Sequence, residues 1–210
     1  MFGSISFKSL DWQAINLMDS IITLSAFPTA DIIIHSGDIS FAGDGEEVMD
    51  FIEWFGGLDY KCKIFIAGNH DFCLDGKDPA RIQLFLPENM YYLCESGVEI
   101  EGICFWGIPY MMSYELQLEK YQRSLATIPA NTEILITHRP PLGILYKSAK
   151  INFGCLGLLE AVRRICPLYH CFGHIHDAYS IEKLEHTTFV NAALVDEKYQ
   201  LLNKPVVFDI

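Results

Sequence analysis

Short apolar runs, each closed by a glycine and a polar cluster, set the rhythm of this chain. Residues Asp31 to His35 read DIIIH, a β-branched run that ends at Ser36-Gly37-Asp38. That pattern predicts a buried strand opening into a loop. From Glu46 to Phe55 the apolar positions shift to helical spacing, with Val48, Phe51, Ile52 and Phe55 on one face and acids in the first turn. Gly56-Gly57 closes this helix, and Lys63 to Ala67 is again strand-like, ending at Gly68-Asn69-His70-Asp71. Strand, helix and strand in this order predict a parallel βαβ unit.

Further on, Pro79 to Leu86 predicts a short helix begun at proline. The run ICFWGIP within Gly97 to Pro109, flanked by turn residues, predicts a hairpin or meander. A helix is expected over Tyr114 to Ala126, and a buried strand over Glu133 to Thr137 that delivers His138-Arg139-Pro140-Pro141 to a loop. Gly157 to Ile165 reads as a helix. Pro167 to Phe172 reads as a strand ending at Gly173-His174-Ile175-His176. The tail alternates through Tyr179 to Ile181, Thr187 to Val190 and Val206 to Ile210, the pattern of a run of antiparallel strands. Neither a repeat nor a linker interrupts the chain, so one domain is expected.

Polar clusters thus recur at the C-terminal ends of predicted strands: Gly37-Asp38, Gly68-Asn69-His70-Asp71, Thr137-His138 and Gly173-His174-Ile175-His176. In open α/β sheets that edge is where ligands collect. Each cluster alone reads equally as a turn or a cap, since Gly-Asp and Asn are ordinary turn residues. Four of them, each after a buried strand, point to one shared site. Asp, Asn and His together form a mixed nitrogen and oxygen donor set that suits Mn, Fe, Zn or Ni better than Ca or Mg. On an extended segment, His174 and His176 would face the same way. Arg139 is either a phosphate contact or a solvated loop residue. His35 and His170 lie in apolar strands and read as core residues, and His186, beside acids, as exposed.

The order Gly-Asp, Gly-Asn-His-Asp, Thr-His-x-Pro-Pro, Gly-His-x-His resembles the calcineurin-like metallophosphoesterase superfamily from about Asp31 to the C-terminus. Within it, the stretches DIIIHSGDIS, THRPPLGI and the final PVVFDI are similar to the small metallophosphoesterase-domain-containing proteins. The resemblance implies an α/β fold, a four-layer αββα sandwich of two mixed β-sheets flanked by helices, with a dinuclear metal centre at its rim. It implies that Asp38 bridges two ions, that Asn69, His138 and His174 complete the second metal site, and that His176 serves the first. It places His70 near the substrate phosphate as the catalytic residue, with Asp71 orienting it. The implied activity is metal-dependent phosphoester hydrolysis with one or two divalent transition-metal ions per chain, on phosphodiesters, nucleotides or other small phosphoesters.

One feature departs from that pattern. The superfamily begins with Asp-x-His at the end of its first strand, and here the upstream acids are Asp11-Trp12-Gln13 and Asp19-Ser20-Ile21. Neither offers the histidine. Leu10, Ala14, Leu17, Ile21 and Leu24 recur at spacings of three and four, an amphipathic-helix pattern. Residues 1–25 are therefore expected to be a divergent segment ahead of a metallophosphoesterase domain over 26–210, with Asp19 or Asp11 the remaining candidate carboxylates. This favours an alternative, a catalytically weak or inactive metal- or nucleotide-binding protein with a regulatory or scaffolding role.

Composition narrows the partners. The 210 residues carry 27 acids against 15 lysines and arginines, a formal charge of −12. That disfavours generic binding to a nucleic-acid backbone or an anionic membrane surface. It leaves anionic substrates open, because a cation reverses the field inside a cleft. Seven cysteines without a CxxC pair read as reduced and buried. With no signal-peptide pattern and no run of ~20 apolar residues, they lead to the expectation of a cytoplasmic protein.

Overall fold

The computed structural model describes residues 11–14, 27–148 and 151–209. Two mixed sheets form its centre. The first holds β1 (Asp11–Ala14), β2 (Ile32–His35), β3 (Cys62–Phe65), β4 (Met90–Tyr92) and β13 (Val206–Asp209), in the order β13-β1-β2-β3-β4. The second holds β5 (Ser96–Ile100), β6 (Ile103–Ile108), β7 (Ile134–Thr137), β10 (Tyr169–Phe172), β11 (Ser180–Leu184) and β12 (Thr187–Asn191), in the order β11-β12-β10-β7-β6-β5. A small hairpin, β8 (Lys147–Ser148) and β9 (Ile151–Asn152), stands apart. The central strands of both sheets are parallel, and the antiparallel pairings lie at the margins, where β13 joins β1, β11 joins β12 and β5 joins β6.

Strand alternation explains the layering. Ile32, Ile34, Ile64, Ile66, Ile134 and Ile136 meet in a core between the sheets. The intervening Ile33, Phe65 and Leu135 face outward into a second core that includes helical residues. Both faces of these strands are therefore buried, which is why they read as unbroken apolar runs. On the outer face of the first sheet, α1 (Gly45–Gly56) is capped by Asp44, whose carboxylate accepts from Glu46 N at 3.0 Å. Its Phe51 and Phe55 rings stack at 5.0 Å, and Phe51 meets Phe65 at 5.5 Å. Full burial of each such ring contributes about 1.5–3 kcal/mol. The helix α2 (Pro79–Gln83) starts at proline behind an Asp78 cap, as the sequence predicts. α5 (Leu156–Ile165) buries Leu158, Ala161, Val162 and Ile165.

Four expectations change. The helix over Tyr114 to Ala126 is two helices, α3 (Met112–Leu116) and α4 (Leu118–Thr127), broken at Gln117 (φ −129°, ψ 74°). An unbroken helix would hold residues 114 and 121 about 10.5 Å apart along its axis. The break instead brings the buried Tyr114 and Tyr121 rings to 5.7 Å, edge to face. The tail is not one antiparallel run: β12 lies parallel to β10, and β13 crosses to the other sheet. Residues 11–14 form strand β1 rather than part of a helix, because they pair with β2 on one side and β13 on the other. The cysteines are all free, but Cys171 alone is fully buried; five are half-buried and Cys166 is exposed. Strand β4, three residues long, carries too little pattern to be predicted.

Among the described residues no helix is long and apolar enough to cross a membrane.

Candidate metal centre

Each sheet delivers two adjacent parallel strands to the same edge: β2 and β3 from the first, β7 and β10 from the second. The four predicted clusters follow their C-terminal ends, so Asp38, Asn69, His138 and His174 come from four loops and two sheets. Close approach of these loops needs glycine. A Cβ on Gly37 (φ +102°) would lie 2.7 Å from His138 Nδ1, and one on Gly68 would overlap the Asp38 carboxylate and amide.

The donors converge on one atom. His138 Nε2 is 2.9 Å from Asn69 Oδ1, 3.1 Å from His174 Nδ1 and 3.3 Å from Asp38 Oδ2. Asp38, His138 and His174 satisfy the mutual spacing of a metal-binding group. His138 donates its Nδ1 proton to the Ser36 carbonyl at 2.9 Å, which leaves Nε2 as the lone-pair nitrogen of the neutral ring. Asp38 Oδ2 is buried with no hydrogen-bond donor, and the Asp38 and His138 residues are 1% and 0% exposed. One N–H on His138 could serve a single neighbour well, whereas a cation would satisfy all four donors together. The residues therefore fit a divalent transition metal with mixed N/O ligation.

Electrostatics agree with that use. Burial pushes the Asp38 carboxyl up, but the His138 imidazole and the His70 N–H, which donates to Asp38 Oδ1 at 3.0 Å, hold it well below the carboxylate range. Burial drops His174 to about 3, with His138 adding to the effect, so its ring is neutral and ready to ligate. Burial also opposes charge on His138, yet the neighbouring Asp38 carboxylate outweighs it and raises its pKa from the ordinary imidazole value. Without a cation, His138 therefore takes up a proton more readily than a free imidazole does.

Asp71, expected to orient His70, does something else. It is buried and accepts from Asp38 N (3.0 Å), Ser40 N (2.9 Å), Ser40 Oγ (2.8 Å) and Gly68 N (2.7 Å). It thereby ties the loop after β2 to the loop after β3. Burial and the Asp38 carboxylate raise it to about 6 against the pull of these donors. His70 instead donates Nδ1–H to the Phe41 carbonyl at 2.7 Å and lines a cleft of about 410 Å³ above the donor cluster.

The paired histidines reach that cleft by different routes. The segment is not extended: His174 has φ +65°, and a 3₁₀ turn begins at His176. His174 joins the cluster, whereas His176 donates from Nδ1 to the Asp196 carbonyl at 2.8 Å on the cleft wall. Arg139 is neither solvated nor aimed at the cleft; its guanidinium bonds Tyr110 Oη at 3.0 Å and the Phe153 carbonyl at 2.9 Å. His35 is buried against Phe51 and accepts from Gly37 N. His170 is buried and bonds Thr137 Oγ1 at 2.8 Å, and its Nδ1 has no partner, so it is only half satisfied. His186 is exposed.

Asn191, at the end of β12, escaped the sequence reading. Buried, it donates to the Ile175 carbonyl at 2.9 Å and steadies the His174–His176 turn. A polar residue closing a fifth parallel strand was the available signal. Asp11 starts β1, opposite Asp209, while the strand's other end, Ala14, lies beside Ile34. Asp11 is thus about 10 Å further than Ala14 from the edge that carries the cleft. Asp19 lies outside the described residues.

A family model described as Calcineurin-like phosphoesterase matches residues 12–178. The chain belongs to that family. Its relatives include a UPF0046 protein of Caenorhabditis elegans, 37% identical over 211 residues that cover 89% of this chain and 75% of the relative. Metallophosphoesterase domain-containing protein 1 of Homo sapiens is 36% identical over 213 residues, covering 87% of this chain and 65% of its own length. Among solved structures, one crystal structure superposes with a TM-score of 0.62 at 15% identity over 96% of this chain and 95% of the other. A Thermus thermophilus protein, TT1561, gives 0.53 at 14% identity over 86% of each chain. These structures share the fold. As a calcineurin-like phosphoesterase, the chain falls in a family of metal-dependent phosphoester hydrolases, and the Asp38, His138 and His174 group is where its structure offers to hold a metal.

Proposed function

We propose that the protein hydrolyses phosphodiesters, nucleotides among them, with a divalent cation held by Asp38, Asn69, His138 and His174. The observation that carries this reading is the convergence of four lone-pair donors on one buried point at the floor of an open cleft. A cation there supplies charge for the phosphoryl oxygens and a nucleophilic water near neutral pH. The chain's own groups do the rest. Asp38 and Asn69 hold their oxygens toward that point because Asp71 and the His70 N–H fix their loops. His70, anchored through Nδ1 on Phe41, keeps Nε2 for the cleft; in its protonated form it gives that proton to the departing alkoxide.

Charge and shape favour a singly charged diester with an aromatic group. Among the described residues the cleft lining includes Glu197 but neither lysine nor arginine, so those residues offer no fixed positive side chain to pair a second phosphate charge. Phe153 and Tyr199 line it, and Phe41 packs edge-on against Tyr199 at 5.3 Å, an aromatic wall suited to an aryl or base ring. The test is kcat/KM of Mn²⁺-, Fe²⁺-, Ni²⁺- or Zn²⁺-loaded protein on bis-p-nitrophenyl phosphate and cyclic nucleotides against p-nitrophenyl phosphate. A diester preference of tenfold or more supports the reading; turnover of the monoester alone sinks the substrate class. A cytoplasmic setting and a dinuclear, manganese-containing centre belong to the same proposal.

One observation favours a second reading. Strand β1 leads into Ile15-Asn16-Leu17, so the first metal site lacks the Asp-x-His donors, and Asp11 lies at the wrong end of the strand. A weak or inactive metal- or nucleotide-binding protein would follow. Counting ions per chain, together with turnover on any phosphoester, separates the two: a bound ion without turnover selects the binding protein.

A further inference from the structure

His174 carries a left-handed backbone (φ +65°), which is uncommon for a non-glycine residue. Its surroundings are specific. The Tyr110 ring meets the His174 ring at 6.3 Å and 66°, and the Phe153 ring meets it at 5.8 Å and 84°. Both flanking residues are held by one side chain. Arg139 donates from Nη1 to Tyr110 Oη (3.0 Å) and from Nη2 to the Phe153 carbonyl (2.9 Å), and its guanidinium carbon lies 4.5 Å from the Tyr110 ring centre. Its Nε is buried without a partner, so the two terminal nitrogens carry its polar contacts.

We infer that Arg139 is a positioning residue that clamps the His174 imidazole into the donor cluster through Tyr110 and Phe153, and is not a phosphate contact. The inference rests on reading that cluster as a metal site. The guanidinium's planar fork places two separate nitrogens on the two acceptors, whereas lysine brings its donors from a single nitrogen. The backbone of the turn is secured separately, because Thr137 Oγ1 donates to the Arg139 carbonyl at 2.7 Å. Shortening the Arg139 side chain therefore leaves the His138 turn in place and removes one polar tie from each of the two residues that brace His174.

The experiment loads wild type, Arg139→Met, Arg139→Lys and Tyr110→Phe with Co²⁺. It records Co²⁺ affinity, the ligand-field absorption spectrum, and KM and kcat on bis-p-nitrophenyl phosphate. For Arg139→Met the expected result is a ~10–100-fold loss of Co²⁺ affinity, the scale for groups that orient a metal ligand. The spectrum should shift while KM changes less than about twofold at saturating metal. Arg139→Lys should not restore the affinity. Tyr110→Phe keeps the ring and removes one bond, so it reports on the clamp even if the arginine variants fail to fold; about 3–10-fold weaker Co²⁺ binding is expected. Unchanged affinity and spectrum with a large rise in KM would overturn the clamp and make Arg139 a substrate contact. Wild-type protein that binds no Co²⁺ would overturn the metal-site reading itself, and the clamp with it.

Discussion

The floor of the cleft and its rim are built differently. On the floor, Asp38 and His138 are buried, and each is fixed by contacts from another loop: Ser36 carbonyl to His138, His70 N–H to Asp38, and Asp71 to the backbones of both flanking loops. On the rim, His70 and His176 are half-buried, and each ring is held by one bond to a main-chain carbonyl. Phe41 and Tyr199 are about half exposed. A rigid, desolvated floor suits an ion whose ligands must not move, and an adaptable rim suits a substrate that enters and leaves. The contrast teaches that loss of a floor residue should be read in metal content, and loss of a rim residue in kcat or KM.

The largest effect expected from that division is at His138. His138→Ala removes the nitrogen on which the other three donors converge. Cation binding should fall below detection, and kcat/KM should drop by about 10³-fold or more, since the cation supplies several kcal/mol of transition-state charge stabilisation. Metal analysis after gel filtration checks it. Full metal content in this variant would erase the distinction between floor and rim.

His70→Asn sharpens the comparison from the other side. It should lower kcat by ~10²–10⁴-fold on substrates with alkoxide leaving groups and much less on aryl diesters, whose leaving group needs little protonation. Metal content should stay at the wild-type value. Equal losses on both substrate types would assign His70 to phosphate binding instead of proton donation.

Asp71 tests whether the floor is held as tightly as its bonds imply. Asp71→Ala leaves the N–H groups of Asp38, Ser40 and Gly68 buried without their acceptor, at a cost of about 3 kcal/mol or more. Urea unfolding of metal-free protein should show the loss as a lower midpoint. A change under about 0.5 kcal/mol would mean that the loops are held by packing alone.

The floor should also titrate as a unit. Burial opposes charge on His138, but Asp38 outweighs it and raises its pKa, so in metal-free protein it takes up a proton at the position of the cation more readily than a free imidazole does. Binding must expel that proton. Affinity for Zn²⁺ or Mn²⁺ should therefore rise with pH by up to about tenfold per unit until His138 is neutral, then level off. Calorimetry in two buffers of different ionisation enthalpy should show proton release on binding, and the release should diminish as pH rises. No release across this range would contradict the coupling of Asp38 with His138.

How much of this was legible in the sequence follows from the same physics. The strands that feed the floor are buried on both faces, so their apolar runs and closing glycines stand out, and the donors at their ends fall into place. What stayed hidden depends on contacts far apart in the chain. Asp71 reads as a partner for its neighbour His70, yet it bonds residues 31 and 33 positions away. Arg139 reads as solvated or substrate-facing until Tyr110 is beside it. The turn at His174 looks extended because nothing in Gly-His-Ile-His announces a left-handed φ. Strand β1 is hidden by a helical spacing that its pairing with β2 and β13 overrides.

The smallest effect is expected at the mouth of the rim. Tyr199 meets Phe41 at 5.3 Å and His176 at 5.6 Å, both edge to face, so it stands between the two walls of the cleft. An aromatic pair contributes about 0.5–1.5 kcal/mol beyond buried area, which corresponds to roughly 2–13-fold in KM for a substrate ring stacked there. Tyr199→Leu keeps apolar bulk but removes the ring. It should raise KM by that factor for an aryl or nucleoside diester, leave KM unchanged for a dialkyl phosphate, and leave kcat and metal content near wild type. The aryl and alkyl substrates form the decisive pair, because general loosening of the mouth would raise both KM values together. A rise for both would assign Tyr199 to holding His176 in place, and the rim would then belong to the rigid part of the site.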